Sequence, residues 1–136
     1  MSPSFNPGDR LLVSQGAYGT ALPARGDAVI VRDPGEPGRL SLKRIVGLPG
    51  EELRLLDGTL YIDGCHMSEP YLGGLPASPG LGDRRWDLGD RECFVMGDNR
   101  AHSTDSRDFG PIAVNLMLGR VWLRYWPVRR RGRVGQ

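Results

Sequence analysis

Seventeen of the eighteen basic residues are arginines, and Lys43 is the single lysine. The difference is chemical, because a guanidinium stays charged at any practical pH whereas a buried amine can give up its proton and serve as a base or nucleophile. Lys43 sits in Leu40-Ser-Leu-Lys-Arg-Ile-Val46, where Leu40, Leu42 and Val46 are apolar and Ile45 breaks strict alternation, so the spacing predicts a partly buried strand. On this feature alone two readings stay open, a surface lysine that escaped an arginine-biased composition and a functional amine. The second concentration of reactive groups is Gly97 to Gly110 (GDNRAHSTDSRDFG), fourteen residues holding three aspartates, two arginines and two serines. A loop of this composition is a candidate for function. Scaffolding explains it equally well, with Asp105 pairing Arg107 and with Asp98 and Asn99 capping backbone groups.

Other chemistries lack their residues. The only histidines are His66 and His102, and without a Gly-x-Ser-x-Gly elbow a Ser-His-Asp triad has no anchor. Neither a P-loop nor a GxGxxG is present. Cys65 and Cys93 lie 28 residues apart with no CxxC and no histidine pair at ligand spacing, so no metal site is expected. Both cysteines are expected as free thiols, with one disulfide as the alternative. Cys93, inside Glu92-Cys-Phe-Val-Met96, reads as core, and Cys65, after a turn, as exposed.

The elements that must position these groups read as strands. Asn6-Pro-Gly-Asp9 turns into a strand over residues 10–14, Arg25-Gly-Asp27 turns into Ala28–Arg32, and the Lys43 strand ends at Leu48-Pro-Gly50. Asp57-Gly58, between 52–56 and 59–62, is a strong hairpin signal, and Asp63-Gly64 marks a second turn. Residues 70–85 are rich in Gly, Pro and Ser without periodicity, which predicts a surface excursion inside the domain. Strands resume at 91–96 and 119–126. Trp122 and Trp126 alternate on one face of the last strand and are expected in the core, which makes a nucleic-acid platform remote. One short helical turn is expected near 112–117.

With 136 residues, 39% hydrophobic and 25% charged, the chain suits one compact domain, and twenty glycines with eleven prolines favour a β-rich fold of many turns. The β domain is expected over residues 1–127 and an Arg-rich tail over 128–136. The net charge is +2, but the last fifteen residues carry +5 and the other 121 carry −3, so the basicity belongs to the C-terminus. That segment reads as a solvated end, as a contact for anionic lipid or, last, as one for nucleic acid. No apolar run approaches the roughly 18 residues of a membrane helix.

Four blocks, in order and spanning nearly the whole chain, resemble the type I signal peptidase (leader peptidase) family of Ser/Lys proteases. They are Met1-Ser-Pro-Ser-Phe5 with Gly8-Asp-Arg10; Arg25-Gly-Asp27 with its strand; Leu42-Lys-Arg-Ile-Val-Gly-Leu-Pro-Gly50; and Phe94-Val-Met-Gly-Asp-Asn-Arg100 through Ser103, Asp105, Ser106, Arg107 and Gly110. The resemblance implies a mainly β fold, with several antiparallel sheets in one compact domain, that cleaves after small residues in an extended peptide docked at a sheet edge. It makes Lys43 the general base and Ser103 the hydroxyl that orients the amine. It pairs Asp105 with Arg107, gives Asp98, Asn99 and Arg100 the bracing of the loop, and matches Met1, Phe5, Ser41 and Leu42 to positions lining small substrate pockets. No cofactor or metal is implied. The implied partner is a preprotein or peptide in extended conformation, with no nucleic acid.

The family pattern puts the nucleophilic serine directly before the methionine of Ser-Met-x-Pro-Thr/Ser, which here is Met1, so the nucleophile is expected just upstream of the chain. An oxyanion serine and an amino-terminal membrane anchor are expected upstream as well. With that anchor the catalytic domain would lie on the outer face of the cell membrane, and without it the 136 residues are expected to be soluble and inactive. Two other readings remain, a catalytically inactive peptide-binding relative and a maturation protease dedicated to one substrate.

Overall fold

The structure, a computed structural model, describes residues 1–78 and 80–134. Its strands are β1 (Arg10–Gln15), β2 (Ala28–Arg32), β3 (Leu40–Gly47), β4 (Glu52–Leu56), β5 (Thr59–Ile62), β6 (Cys65–His66), β7 (Arg84–Asp87), β8 (Glu92–Met96), β9 (Ile112–Ala113), β10 (Met117–Trp126) and β11 (Gly132–Arg133). Two four-residue helices, α1 (Ala17–Thr20) and α2 (Ser106–Phe109), and short 3-10 turns complete the described chain. One sheet runs β1-β10-β2-β3-β8-β9 with β11 also on β10, the other runs β6-β5-β4-β7, and every pairing is antiparallel. The fold is thus mainly β. No helix among the described residues is long and apolar enough to cross a membrane.

The core explains the sequence pattern. Ile45, Cys93 and Val95 pack with Val29, Val31, Ile112 and Met117 on one face, while Val46, Phe94 and Met96 pack with Leu53, Leu60, Ile62 and Leu88 on the other. Strands β3 and β8 are therefore covered on both sides, and such strands show an apolar run in place of alternation. That is why Ile45 interrupts the pattern of β3. A third cluster joins Phe5, Ala28 and Val121. Successive strand side chains alternate between faces, so Lys43 shares the face of Ile45 and Arg44 takes the opposite one. In the β4–β5 hairpin Asp57 and Gly58 have φ of 47° and 73°, both positive as a two-residue type I′ turn demands.

Three local expectations are corrected. Trp122 and Trp126 are 46% and 50% exposed, not core. Alternation along β10 buries Met117, Gly119 and Val121 and turns Arg120 and Trp122 outward to solvent. The excursion at 70–85 is partly internal: Leu72 and Ser78 are buried, and β7 begins within it at Arg84. That strand carries no apolar alternation because it is an edge, held to β4 by ladder pairing and by an Arg85–Glu52 ion pair. The C-terminal arginines do not form a free end over residues 128–134. Strand β11 pairs Gly132 and Arg133 with Arg124 and Leu123, Arg130 bonds Asp9, and Val134 packs beside Val121. Gly135 and Gln136 lie outside the described residues. Both cysteines are free, Cys65 exposed and Cys93 buried, and burial pushes the Cys93 thiol up to about 12.

Near the start of β10 stands Gly119, whose absent side chain lets the end of β1 approach. A Cβ there would stand 2.6 Å from Val13 Cγ1 and 2.8 Å from the Ser14 carbonyl oxygen. Gly119→Ala should therefore cost about 1–3 kcal/mol of stability by overpacking, read as a lower midpoint of urea unfolding; an unchanged midpoint would show that β1 yields freely.

Candidate active site

Strand β3 runs beside β8 only from Arg44 onward, with Arg44 opposite Met96. The chain leaves β8 at Met96 and enters the polar loop beginning at Gly97, so the topology delivers that loop to Lys43, the residue of β3 just before its pairing with β8 begins. There the Lys43 Nζ donates to Ser103 Oγ at 3.0 Å. Gly97 makes room for the contact, since a Cβ at that position would overlap Ser103 Oγ.

The loop is shaped by charge-assisted hydrogen bonds. Asp105 caps α2, accepting from Arg107 N at 3.1 Å, while Asp108 accepts from Asp105 N at 2.9 Å, a reciprocal capping box. The Arg107 guanidinium returns two bonds of 2.9 Å to the Asp105 carboxylate, which also accepts from Gly97 N at 2.9 Å. Asp98 is fully buried and takes Arg44 Nε and Nη2 at 2.8 and 2.7 Å. Arg100 bonds the Gly97 and Ala77 carbonyls at 3.1 and 2.7 Å and pairs with Glu69. These bonds place Asp98, Arg100, Asp105 and Arg107 as a frame around Lys43 and Ser103.

The charge state of the site follows from that frame. Burial lowers the Lys43 pKa from the ordinary 10.5; Asp105 and Asp33 oppose the shift without cancelling it, and Arg39 and Arg107 reinforce it. Burial alone would raise the Asp105 carboxyl, but the hydrogen bond and charge of Arg107, the Gly97 amide and the Ser103 hydroxyl together hold it below 3.8. Asp105 is thus an anion already committed to Arg107. The amine has two acids near it but, among the described residues, no ion pair of its own, and burial outweighs their charge.

Lys43 and Ser103 open into a cavity of about 190 Å³ lined also by Met1, Asp33, Arg39, Ser41, Leu42, Asn99, His102 and Thr104. Of the expected pocket residues, Met1, Ser41 and Leu42 reach this wall. Phe5 does not: it is 5% exposed and packs behind the wall on Ala28 and Val121, because its large ring is claimed by the core. Asn99 lies on the wall. A larger groove of about 690 Å³ over the β4–β5 hairpin contains neither Lys43 nor Ser103. Among the described residues no group of three or more His, Cys, Asp or Glu side chains could hold a metal ion.

Sequence reasoning missed Glu69 and Tyr71. The Tyr71 hydroxyl donates to Glu69 at 2.6 Å, and the Arg44 guanidinium lies 4.2 Å above the Tyr71 ring. Arg44, Asp98, Arg100, Glu69 and Tyr71 thereby form a ring drawn from three chain segments. The only signal available was that Glu69 and Tyr71 interrupt a stretch otherwise poor in large residues. Ser78, whose Oγ accepts from Arg107 at 3.4 Å, was equally invisible.

A single lysine makes the amine directly observable. In a chain labelled with ¹³C-lysine, the one side-chain signal should titrate with a midpoint below 10.5, and Asp105→Asn should move it lower still by removing a charge that favours the ammonium form. A midpoint at the ordinary lysine value would contradict the buried-amine site.

Comparison with known proteins addresses the chain and its fold as a whole. The family described as signal peptidase, peptidase S26, matches residues 1–126. A probable signal peptidase I-2 from Synechocystis sp. is 33% identical over 143 residues, covering 97% of this chain and 62% of that protein, so the chain spans less than two thirds of its length. Signal peptidase I T from Bacillus subtilis is 35% identical over 138 residues, covering 93% and 69%. The crystal structure of a signal peptidase I from Enterococcus faecalis matches 74% of this chain and 97% of that one, with a TM-score of 0.62 and 31% identity. Sequence and fold thus converge, and the chain belongs to the type I signal peptidase family, peptidase S26.

Proposed function

We propose that the protein is a serine endopeptidase that removes signal peptides from preproteins after small residues, with Lys43 as general base. The observation that carries this reading is the buried Lys43 amine held at 3.0 Å by Ser103. A neutral amine that donates one hydrogen to Ser103 has its lone pair oriented, ready to take the proton of a serine hydroxyl as that oxygen attacks the scissile carbonyl carbon. The resulting ammonium returns the proton to the leaving amine, and a water activated by the same nitrogen then hydrolyses the acyl ester. Arginine at this position has no such lone pair near neutral pH.

Substrate geometry supports the same reading. On the side away from β2, residues 40–43 of β3 have no strand partner among the described residues, which leaves backbone groups to take a peptide as an added strand. A cavity of about 190 Å³ opens beside that edge, lined by Lys43, Ser41, Leu42 and Met1, where side chains of such a strand would enter. The attacking serine is the one the family pattern puts directly before Met1, and Met1 lines the same cavity as Lys43. Ser2 and Ser4 are engaged elsewhere: Ser2 bonds Asn6 at 3.1 Å, and Ser4 Oγ accepts from Arg44 at 3.2 Å.

Membrane association belongs to this proposal. Trp122, Tyr125, Trp126 and Val128 are exposed beside Arg129 and Arg131, a combination suited to an anionic membrane surface. The protein should co-sediment with vesicles containing phosphatidylglycerol, and replacing both Trp122 and Trp126 by Ser should weaken that binding several-fold; unaltered sedimentation would remove the patch from the membrane contact.

For catalysis, the chain carrying a serine-bearing family segment before Met1 should cleave a fluorogenic peptide with Ala at the first and third positions before the scissile bond. Lys43→Arg should abolish turnover with the fold intact by circular dichroism, and Ser103→Ala should reduce kcat less severely because Ser103 orients the base. Turnover retained in Lys43→Arg would exclude the Ser/Lys mechanism, a loss from Ser103→Ala as large as that from Lys43→Arg would reverse the roles, and peptide binding without turnover would favour the inactive peptide-binding relative.

A further inference from the structure

On the reading of this groove as a peptide site, we propose that Asp33 and Arg39 form a charged specificity subsite that selects a basic side chain five residues before the scissile bond. Side chains of β3 alternate, so Lys43 and Ser41 share one face, and Arg39, directly before the strand, continues that spacing. Across β2, Lys43 faces Val29 and Ser41 faces Val31, and the Asp33 N–H bonding the Arg39 carbonyl at 3.0 Å extends the register so that Asp33 stands beside Arg39. Both residues line the same cavity as Lys43 and Ser103.

A peptide added along the free edge of β3 presents every second side chain to this face. With its first residue before the scissile bond (P1) at Lys43, its third (P3) lies at Ser41 and its fifth (P5) reaches Arg39 and Asp33. The two charges at that end are not equivalent. Arg39 is held by Glu36 at 2.8 Å, whereas Asp33 has no ion-pair partner among the described residues and uses only Oδ1, which accepts from Gly35 N at 2.9 Å. The uncompensated charge at the lip is therefore negative. A lysine or arginine at P5 completes it, and a glutamate at P5 meets repulsion from Asp33, the charge of Glu36 being already matched by Arg39.

The test needs binding only and uses the 136-residue chain. Fluorescein-labelled peptides with Ala at P1 and P3 and with Arg, Ala or Glu at P5 are titrated and followed by anisotropy. The Arg peptide should bind roughly five-fold more tightly than the Glu peptide at low salt, the scale of an exposed charge pair. That ratio should collapse at about 500 mM salt, where exposed charges are screened. Asp33→Asn, which keeps the acceptor for Gly35 N–H, should abolish the ratio. Equal binding of the Arg and Glu peptides, a ratio that survives Asp33→Asn, or a preference that appears only when the charge is moved to P4 or P6 would overturn the subsite while leaving the peptide groove intact. Binding of no peptide in the series would overturn the groove reading as well.

Discussion

The buried pair between Arg44 and Asp98 is the interaction on which the site depends. Removing two charges from water costs several kcal/mol per ion by a typical estimate, and the loss is offset only where geometry is good and the remaining protons are satisfied. Here both conditions hold. Two guanidinium nitrogens meet the two Asp98 oxygens, a third bonds the Gly26 carbonyl at 2.8 Å, and the flat face of Arg44 rests on Tyr71. Arg44 is the neighbour of Lys43 on β3, and Asp98 opens the loop that carries Ser103. Locking the first two together leaves the second two little choice of position.

The same device recurs around the loop, in Arg100 with Glu69 and in Arg107 with Asp105. A fourteen-residue loop with two short helical turns has no apolar core of its own to hold it. Directional, fully partnered ionic bonds supply that order, and they do so inside a low-dielectric environment where each is strong and where an unpaired group would be costly. The consequence for Lys43 is electrostatic. Asp105, the nearer acid of the frame, is matched to Arg107, so burial outweighs the two carboxylates that oppose it, Asp105 and Asp33, and the Lys43 pKa falls.

The free edge of β3 and the cavity beside it follow from strand lengths. Strand β2 accompanies β3 from Leu40, whereas β8 joins only at Arg44, so the strand is finished on one side and open on the other where Lys43 stands. Had β8 been longer, the backbone groups now available to a peptide would be spent within the sheet. One mismatch in sheet pairing thus leaves this edge of β3 open and sets Lys43 at its end.

Much of this was legible in the chain itself. Strand positions, the Asp57-Gly58 hairpin, the buried Cys93 and the chemical distinctness of Lys43 follow from local rules, since alternation, turn residues and side-chain type act over a few neighbouring positions. Asp105 and Arg107, two residues apart, could be paired on paper for the same reason. The places where expectation failed share a cause. Trp122 and Trp126 look like core because alternation specifies that a strand has two faces but not which of them a second layer covers. Residues 70–85 look like idle loop because the partners of Glu69, Tyr71 and Ser78 lie 27 to 31 positions away. The sequence by itself determined the elements and the candidate base. Only the tertiary structure decided which charges meet, which strand edge stays open and how deeply the lysine is buried, because those depend on contacts between segments whose separation along the chain carries no periodic signal.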